Sequence, residues 1–212
     1  KNDIKDIINN VQYIYISHEH PDHFSPNFFL DHEFKNILLN KKVKILFQET
    51  LDKRIVSFFK KNGLETIEIK ANKALKINKN LEINIVKFGY IDSALIVKSF
   101  NHKILNLNDS PLNKDSEIYQ FKKKYGTFDT LLTQFSYAAW KGGKNNYNFR
   151  KQAALEKLET IKKQSNILEC SSVIPFASFI YFSNEMNKYM NDNINNPEDV
   201  YKKMINEKNI VF

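Results

Sequence analysis

The segment "YISHEHPDHFSP", residues 15–26, constrains this chain more than any other. Three of the chain's five histidines, His18, His20 and His23, fall within six positions, with Asp22 among them. The preceding "VQYIYI" is apolar and rich in β-formers, so it reads as a buried strand. Ser25-Pro26 reads as a helix start, a capping serine with proline at the first helical position. His18 and His20 are two residues apart, so on extended backbone they point to the same side. Asp22 and His23 follow the Pro21 turn and can reach a second, adjacent point. Neutral imidazoles and a carboxylate are ligands for zinc, iron or manganese. The end of a strand leading into a helix is where α/β folds place active sites. A capping role would account for Asp22 but leaves three histidines unexplained.

The rest of the chain alternates helical and strand patterns. The first helix is expected to run from Pro26 to about Leu39, and "VKILFQ" (43–48) is a buried strand. Leu51, Ile55, Phe58 and Phe59 fall at helical spacing, with Gly63 as the stop. "LETIEIK", "KALKI" and "LEINIVKF" read as short alternating strands with Asn-rich turns. "SALIVKS" and "HKILNLN" are two apolar strands joined at Phe100-Asn101-His102, followed by a helix over about 114–125 and the strand "DTLLTQF". Residues 136–148 read as a mobile loop. Its Trp140, Lys141, Gly142 and Gly143 suit either a substrate lid or an ordinary exposed loop. A helix over 149–164 puts Ala154, Leu155, Leu158 and Ile161 on one face and pairs Glu159 with Lys163. "ILECSSVIPFASFIYF" is a buried strand entering an apolar segment, and Asn196-Pro197-Glu198-Asp199 starts a last helix. The expectation is α/β layers in a single domain over residues 1–212.

Composition excludes several classes. No run of about 18 apolar residues marks a membrane span, and no secretory leader pattern opens the chain. A single cysteine, Cys170, cannot form an internal disulfide, which fits a reducing, cytoplasmic setting. The formal charge is +8, but the lysines are scattered among acidic residues without Arg-Gly or aromatic-basic interleaving. The expected partner is a small-molecule substrate, with no nucleic acid and no membrane.

The pattern H-x-H-x-D-H after an apolar strand resembles the metallo-β-lactamase superfamily. That resemblance implies an αββα sandwich with metal at one edge, here lacking its N-terminal strands, because the first strand runs almost at once into the cluster. It implies one or two divalent ions, iron or zinc. His18 and His20 would hold the first, and Asp22 and His23 the second. "ILNLNDS" supplies Asp109 as the bridging carboxylate, whose other reading is a helix cap. Two histidines usual in the superfamily have no counterpart. Phe88 stands near the place of one, with Asp92 four residues on as a substitute ligand, an outer-sphere group or a turn cap. "VIPFASF" stands at the place of the other. His32 and His102 are expected to lie away from the metal.

"ILNLNDS", "LLTQFSYAA" and "VIPFASFIYFSNEMNKYMND" together resemble the catalytic domain of CMP-N-acetylneuraminate hydroxylase and its bacterial relatives. This likeness implies a non-haem iron oxygenase acting on an amino- or N-acyl-bearing sugar or nucleotide-sugar. It also implies an electron donor such as a Rieske domain or a ferredoxin. The superfamily default is hydrolysis of an ester, amide or phosphodiester by a metal-activated water, with Asp22 or Asp109 orienting it.

Overall fold

The computed structural model describes residues 4–206 and 209–211. They fall into two compact units, 4–77 with 82–95 and 78–81 with 96–206 and 209–211.

The first unit opens with a short helix α1 (Ile4–Asn9), followed by β1 (Tyr13–Ile16). Helices α2 (Pro26–Leu30) and α3 (His32–Asn40), strand β2 (Lys44–Gln48), helix α4 (Arg54–Lys61) and strand β3 (Thr66–Ile69) follow. β1, β2 and β3 form a three-stranded parallel sheet in that order. Side chains alternate across it as a two-residue period requires. Ile14, Ile16, Ile45 and Phe47 join a core with Phe29, Phe34, Leu38, Ile55 and Phe59 of the helices. On the other face Tyr13, Tyr15, Leu46, Ile67 and Ile69 pack with residues of β4 (Ala74–Asn78), β5 (Leu81–Phe88) and β6 (Asp92–Ser99).

The second unit contains β7 (His102–Asn106), α5 (Asp115–Tyr125), β8 (Thr130–Thr133), α6 (Tyr147–Ile167) and β9 (Ser172–Pro175). A 3-10 helix (Lys188–Asn193), α7 (Pro197–Met204) and the two-residue strand β10 (Asn209–Ile210) complete it. β7 to β10 run parallel in chain order. Leu158 and Ile161 of α6 and Val200 and Met204 of α7 cover Val173 of β9.

Several sequence expectations change in detail. The helix expected over 26–39 breaks at Asp31, whose extended backbone ends α2 and whose carboxylate accepts the Phe34 N–H at 2.9 Å to cap α3. Ser25 makes no side-chain cap, so Pro26 alone marks the start of α2. Leu51 lies outside α4 and is exposed, and Leu155 is likewise exposed rather than on the apolar face of α6. Glu159 does not pair with Lys163. It meets Lys203 of α7, while Lys163 meets Asp115 at 3.1 Å. The expected capping at Asn196 is present as a reciprocal pair with Asp199.

The segment 136–148 is tied down rather than loose. Tyr137 is buried and donates its hydroxyl to Met190 O at 2.5 Å. Arg150, fully buried on α6, donates to Gly143 O at 2.7 Å and Lys144 O at 3.1 Å, with Asp192 at 3.4 Å and the Tyr189 ring at 4.9 Å. Trp140, within this segment, is exposed.

Candidate metal centre

β1 carries its chain directly into the histidine cluster. His23 N–H donates to His20 O at 2.9 Å and Phe24 N–H to the same oxygen at 2.7 Å. With Pro21 at the second position, this is a tight turn whose proline presets the backbone. Phe24 anchors the far side of the turn, its ring 6.0 Å from Phe29, 5.2 Å from Phe58 and 5.5 Å from Phe59. The turn sets the His23 ring beside His18, with centroids 4.2 Å apart, and leaves His20 edge-on to His18 at 4.6 Å.

His18 Nε2 and His20 Nδ1 lie 2.9 Å apart. Two nitrogens each about 2.1 Å from one ion can be no more than about 4.2 Å apart, so this pair fits a shared ion. Asp92 Oδ1 stands 3.8 Å from His18 Nε2, and Asp22 Oδ2 stands 3.7 Å from His23 Nε2. The donor set, three imidazoles and two carboxylates within one unit, fits a divalent transition metal.

The rings are held from behind by a residue the sequence reading passed over. Ser17 Oγ lies 2.9 Å from His18 Nδ1 and 3.1 Å from His23 Nδ1. A hydroxyl oxygen can accept from both rings. When both Nδ1 atoms carry the proton and donate to it, the Nε2 lone pairs are left for an ion. Adjacency to His18 was the sole signal for Ser17 in the sequence.

Beneath the cluster, Ser17 O accepts from Ser93 Oγ at 2.6 Å and from Gln48 Nε2 at 3.2 Å, and Gln48 Nε2 also donates to Ile91 O. The Tyr15 hydroxyl donates to Ser93 O at 2.9 Å and lies 2.7 Å from Ser93 Oγ. Burial pushes the Tyr15 phenol well above its ordinary range, with the Ser93 hydrogen bond opposing and the Asp92 charge adding to the rise. Tyr15 therefore stays a neutral donor. This network ties the ends of β1 and β2 to the start of β6, which carries Asp92.

Asp109 belongs to the second unit, in the turn after β7. Ser110 N–H donates to Leu107 O at 2.9 Å, and Asn108 takes a left-handed conformation, φ 49°, with its N–H on Asn106 Oδ1 at 3.0 Å. Asn tolerates that region better than most residues. Asp109 Oδ1 accepts from Gln134 Nε2 at 3.0 Å, and Gln134 Oε1 accepts from Lys157 Nζ at 2.6 Å. Burial lowers the Lys157 pKa, the Lys141 charge lowers it further, and Asp109 opposes.

His32 is exposed on α3 beside Asn36, and His102 is exposed against Thr130 at 3.0 Å. Neither joins the cluster.

No protein-family model and no curated protein sequence matches the chain. Solved structures do match, and they define its fold as that of the metallo-β-lactamase-fold proteins. CmlA, a diiron β-hydroxylase from Streptomyces venezuelae, superposes with a TM-score of 0.59 at 11% identity, over 93% of this chain and 42% of that one. YhfI, a metallo-β-lactamase fold protein from Bacillus subtilis, gives 0.55 at 11% identity over 96% of this chain and 75% of its own. The short form of human tRNase Z gives 0.52 at 11% identity, over 81% and 74%. The chain spans about two-fifths of the length of the hydroxylase chains it matches. Among the described residues, no helix is long and apolar enough to cross a membrane.

Proposed function

We propose that this chain is a metal-dependent enzyme holding one or two iron or zinc ions. His18 and His20 hold the first position, Asp22 and His23 the second, with Asp109 as the shared carboxylate and Asp92 as a further carboxylate on the His18 side. The observation that carries this reading is the approach of His18 Nε2 to His20 Nδ1, 2.9 Å, with Asp92 at 3.8 Å. Two unprotonated ring nitrogens at that distance repel unless a proton or a cation lies between them.

The reaction proposed is oxygenation of a small molecule bearing an amino or N-acyl group, of the sugar or nucleotide-sugar kind. Two observations support it. The sequence resembles the hydroxylase domain, and the two histidines usual in hydrolytic members are replaced by Phe88 and by "VIPFASF". A carboxylate-rich set with open positions suits iron and dioxygen. When bound, iron would supply activation of dioxygen, the oxidant, with the electrons coming from the external donor. Ser17 orients the imidazoles, and the Tyr15–Ser93–Gln48 network keeps the strand ends fixed beneath them. An external electron donor, such as a Rieske domain or a ferredoxin, is part of this proposal.

The intact H-x-H-x-D-H run favours a second reading, hydrolysis of an ester, amide or phosphodiester, in which Asp22 or Asp109 accepts a proton from the attacking water. A tRNase shares this fold, so the expectation that nucleic acid plays no part is not carried forward.

Oxygen uptake tests the choice. Iron-loaded protein with a chemical reductant and a panel of amino and N-acyl nucleotide-sugars is expected to show substrate-dependent oxygen consumption that His18→Ala abolishes. Cleavage of a chromogenic phosphodiester or ester by zinc-loaded protein, without oxygen uptake, would establish the second reading instead. Neither activity would overturn both.

A further inference from the structure

We infer that Gln134 and Lys157 are positioning residues for the Asp109 carboxylate, forming a cation–amide–carboxylate relay that sets its orientation toward a metal ion. The inference rests on the proposed role of Asp109 as a ligand. Its geometry lies wholly within the second unit.

Lys157 Nζ is 2.6 Å from Gln134 Oε1, and Gln134 Nε2 is 3.0 Å from Asp109 Oδ1. An ammonium has donors and no acceptor, so it faces the amide oxygen and turns the amide N–H toward Asp109. The orientation of Gln134 is thus dictated by its partners at both ends. The cation polarises the amide, which strengthens the bond it donates to the carboxylate.

The relay is mounted on fixed backbone. Gln134 sits between Thr133, whose Oγ1 donates to Gln164 at 2.8 Å, and Phe135, whose N–H donates to Ser178 Oγ at 3.2 Å. Thr133, Phe135, Gln164 and Ser178 are all buried. Lys157 lies on α6 beside the buried Leu158. Lys163, on the same helix, pairs with Asp115 at the surface. Lys157 is instead desolvated against a neutral amide, an arrangement that costs free energy. Holding an anionic ligand in one rotation is a use that fits this cost, and groups of this kind change metal affinity by about 10–100-fold when removed.

The alternative is a plain staple between α6 and the end of β8, and metal binding separates the two. Cobalt(II) affinity would be measured by competition with a chromophoric chelator, along with the cobalt absorption bands, for the whole chain. Gln134→Ala and Lys157→Met are expected to weaken binding about 10–100-fold and shift the bands. Lys157→Arg, which keeps a cationic donor, is expected to recover most of the affinity. Far-ultraviolet circular dichroism of the metal-free proteins checks folding. If Gln134→Ala does not fold, the Lys157→Met and Lys157→Arg pair decides. Unchanged affinity and bands in the Gln134 and Lys157 variants, with Asp109→Asn weakened, would overturn the relay and leave Asp109 a ligand. No cobalt binding by the unaltered chain would overturn both.

Discussion

Ser17 shows how a residue with no motif of its own can stand at the centre of a candidate site. Its hydroxyl meets the Nδ1 atoms of two candidate ligands at once. Ser17→Ala is expected to weaken metal binding about 10–100-fold with little loss of fold, measured by the same chelator competition. Unchanged affinity would show that the rings choose their tautomers without it. The histidines were legible because they are neighbours in sequence as well as in space, and strand geometry relates the two. Ser17, Gln134 and Lys157 were not, because each acts through a contact that exists once the chain has folded. The same reason undid the Glu159–Lys163 pairing. An i,i+4 pair is worth a few tenths of a kcal/mol, so Lys203 and Asp115, brought up by tertiary packing, displace it.

At the scale of elements, strands β1 and β2 were legible from their apolar runs and β3 from its alternation, but the break between α2 and α3 was not. Asp31 is both the last residue a continuous helix would absorb and the cap of a new one, and periodicity does not distinguish the two. Asp31→Ala is expected to lower stability by about 1 kcal/mol, read from urea denaturation. No change would mean that Phe29 and Phe34 alone hold the break. The 136–148 segment was misjudged because glycine and asparagine suggest freedom while the buried Arg150 removes it. Gly142 sits at φ 79°, and an added Cβ would lie 2.7 Å from Asn146 Cβ. Gly142→Ala is therefore expected to cost about 1–3 kcal/mol and to raise proteolysis near Trp140. A variant as stable and as resistant as the unaltered chain would contradict the clamp.

For the whole molecule, the fold was readable because one short motif belongs to one architecture, and solved structures of that architecture match 81% to 96% of the chain. The reaction was not readable, because the metallo-β-lactamase fold carries both a diiron hydroxylase and a tRNase. Metal binding to the native state alone must also stabilise it. At 100 times the dissociation constant the gain is about 2.7 kcal/mol. A melting temperature raised by iron or zinc and lowered by a chelator is expected, and one indifferent to both would argue against a native metal site.

The measurement that bears most directly on metal binding by this chain is elemental analysis of the protein purified without affinity-tag chelation or added metal, with an absorption spectrum recorded in air. The expected result is one to two equivalents of iron or zinc per chain, falling below half in a His18→Ala, His20→Ala double variant that keeps its circular dichroism. A well-folded chain that carries no transition metal and takes up none when it is offered would contradict it.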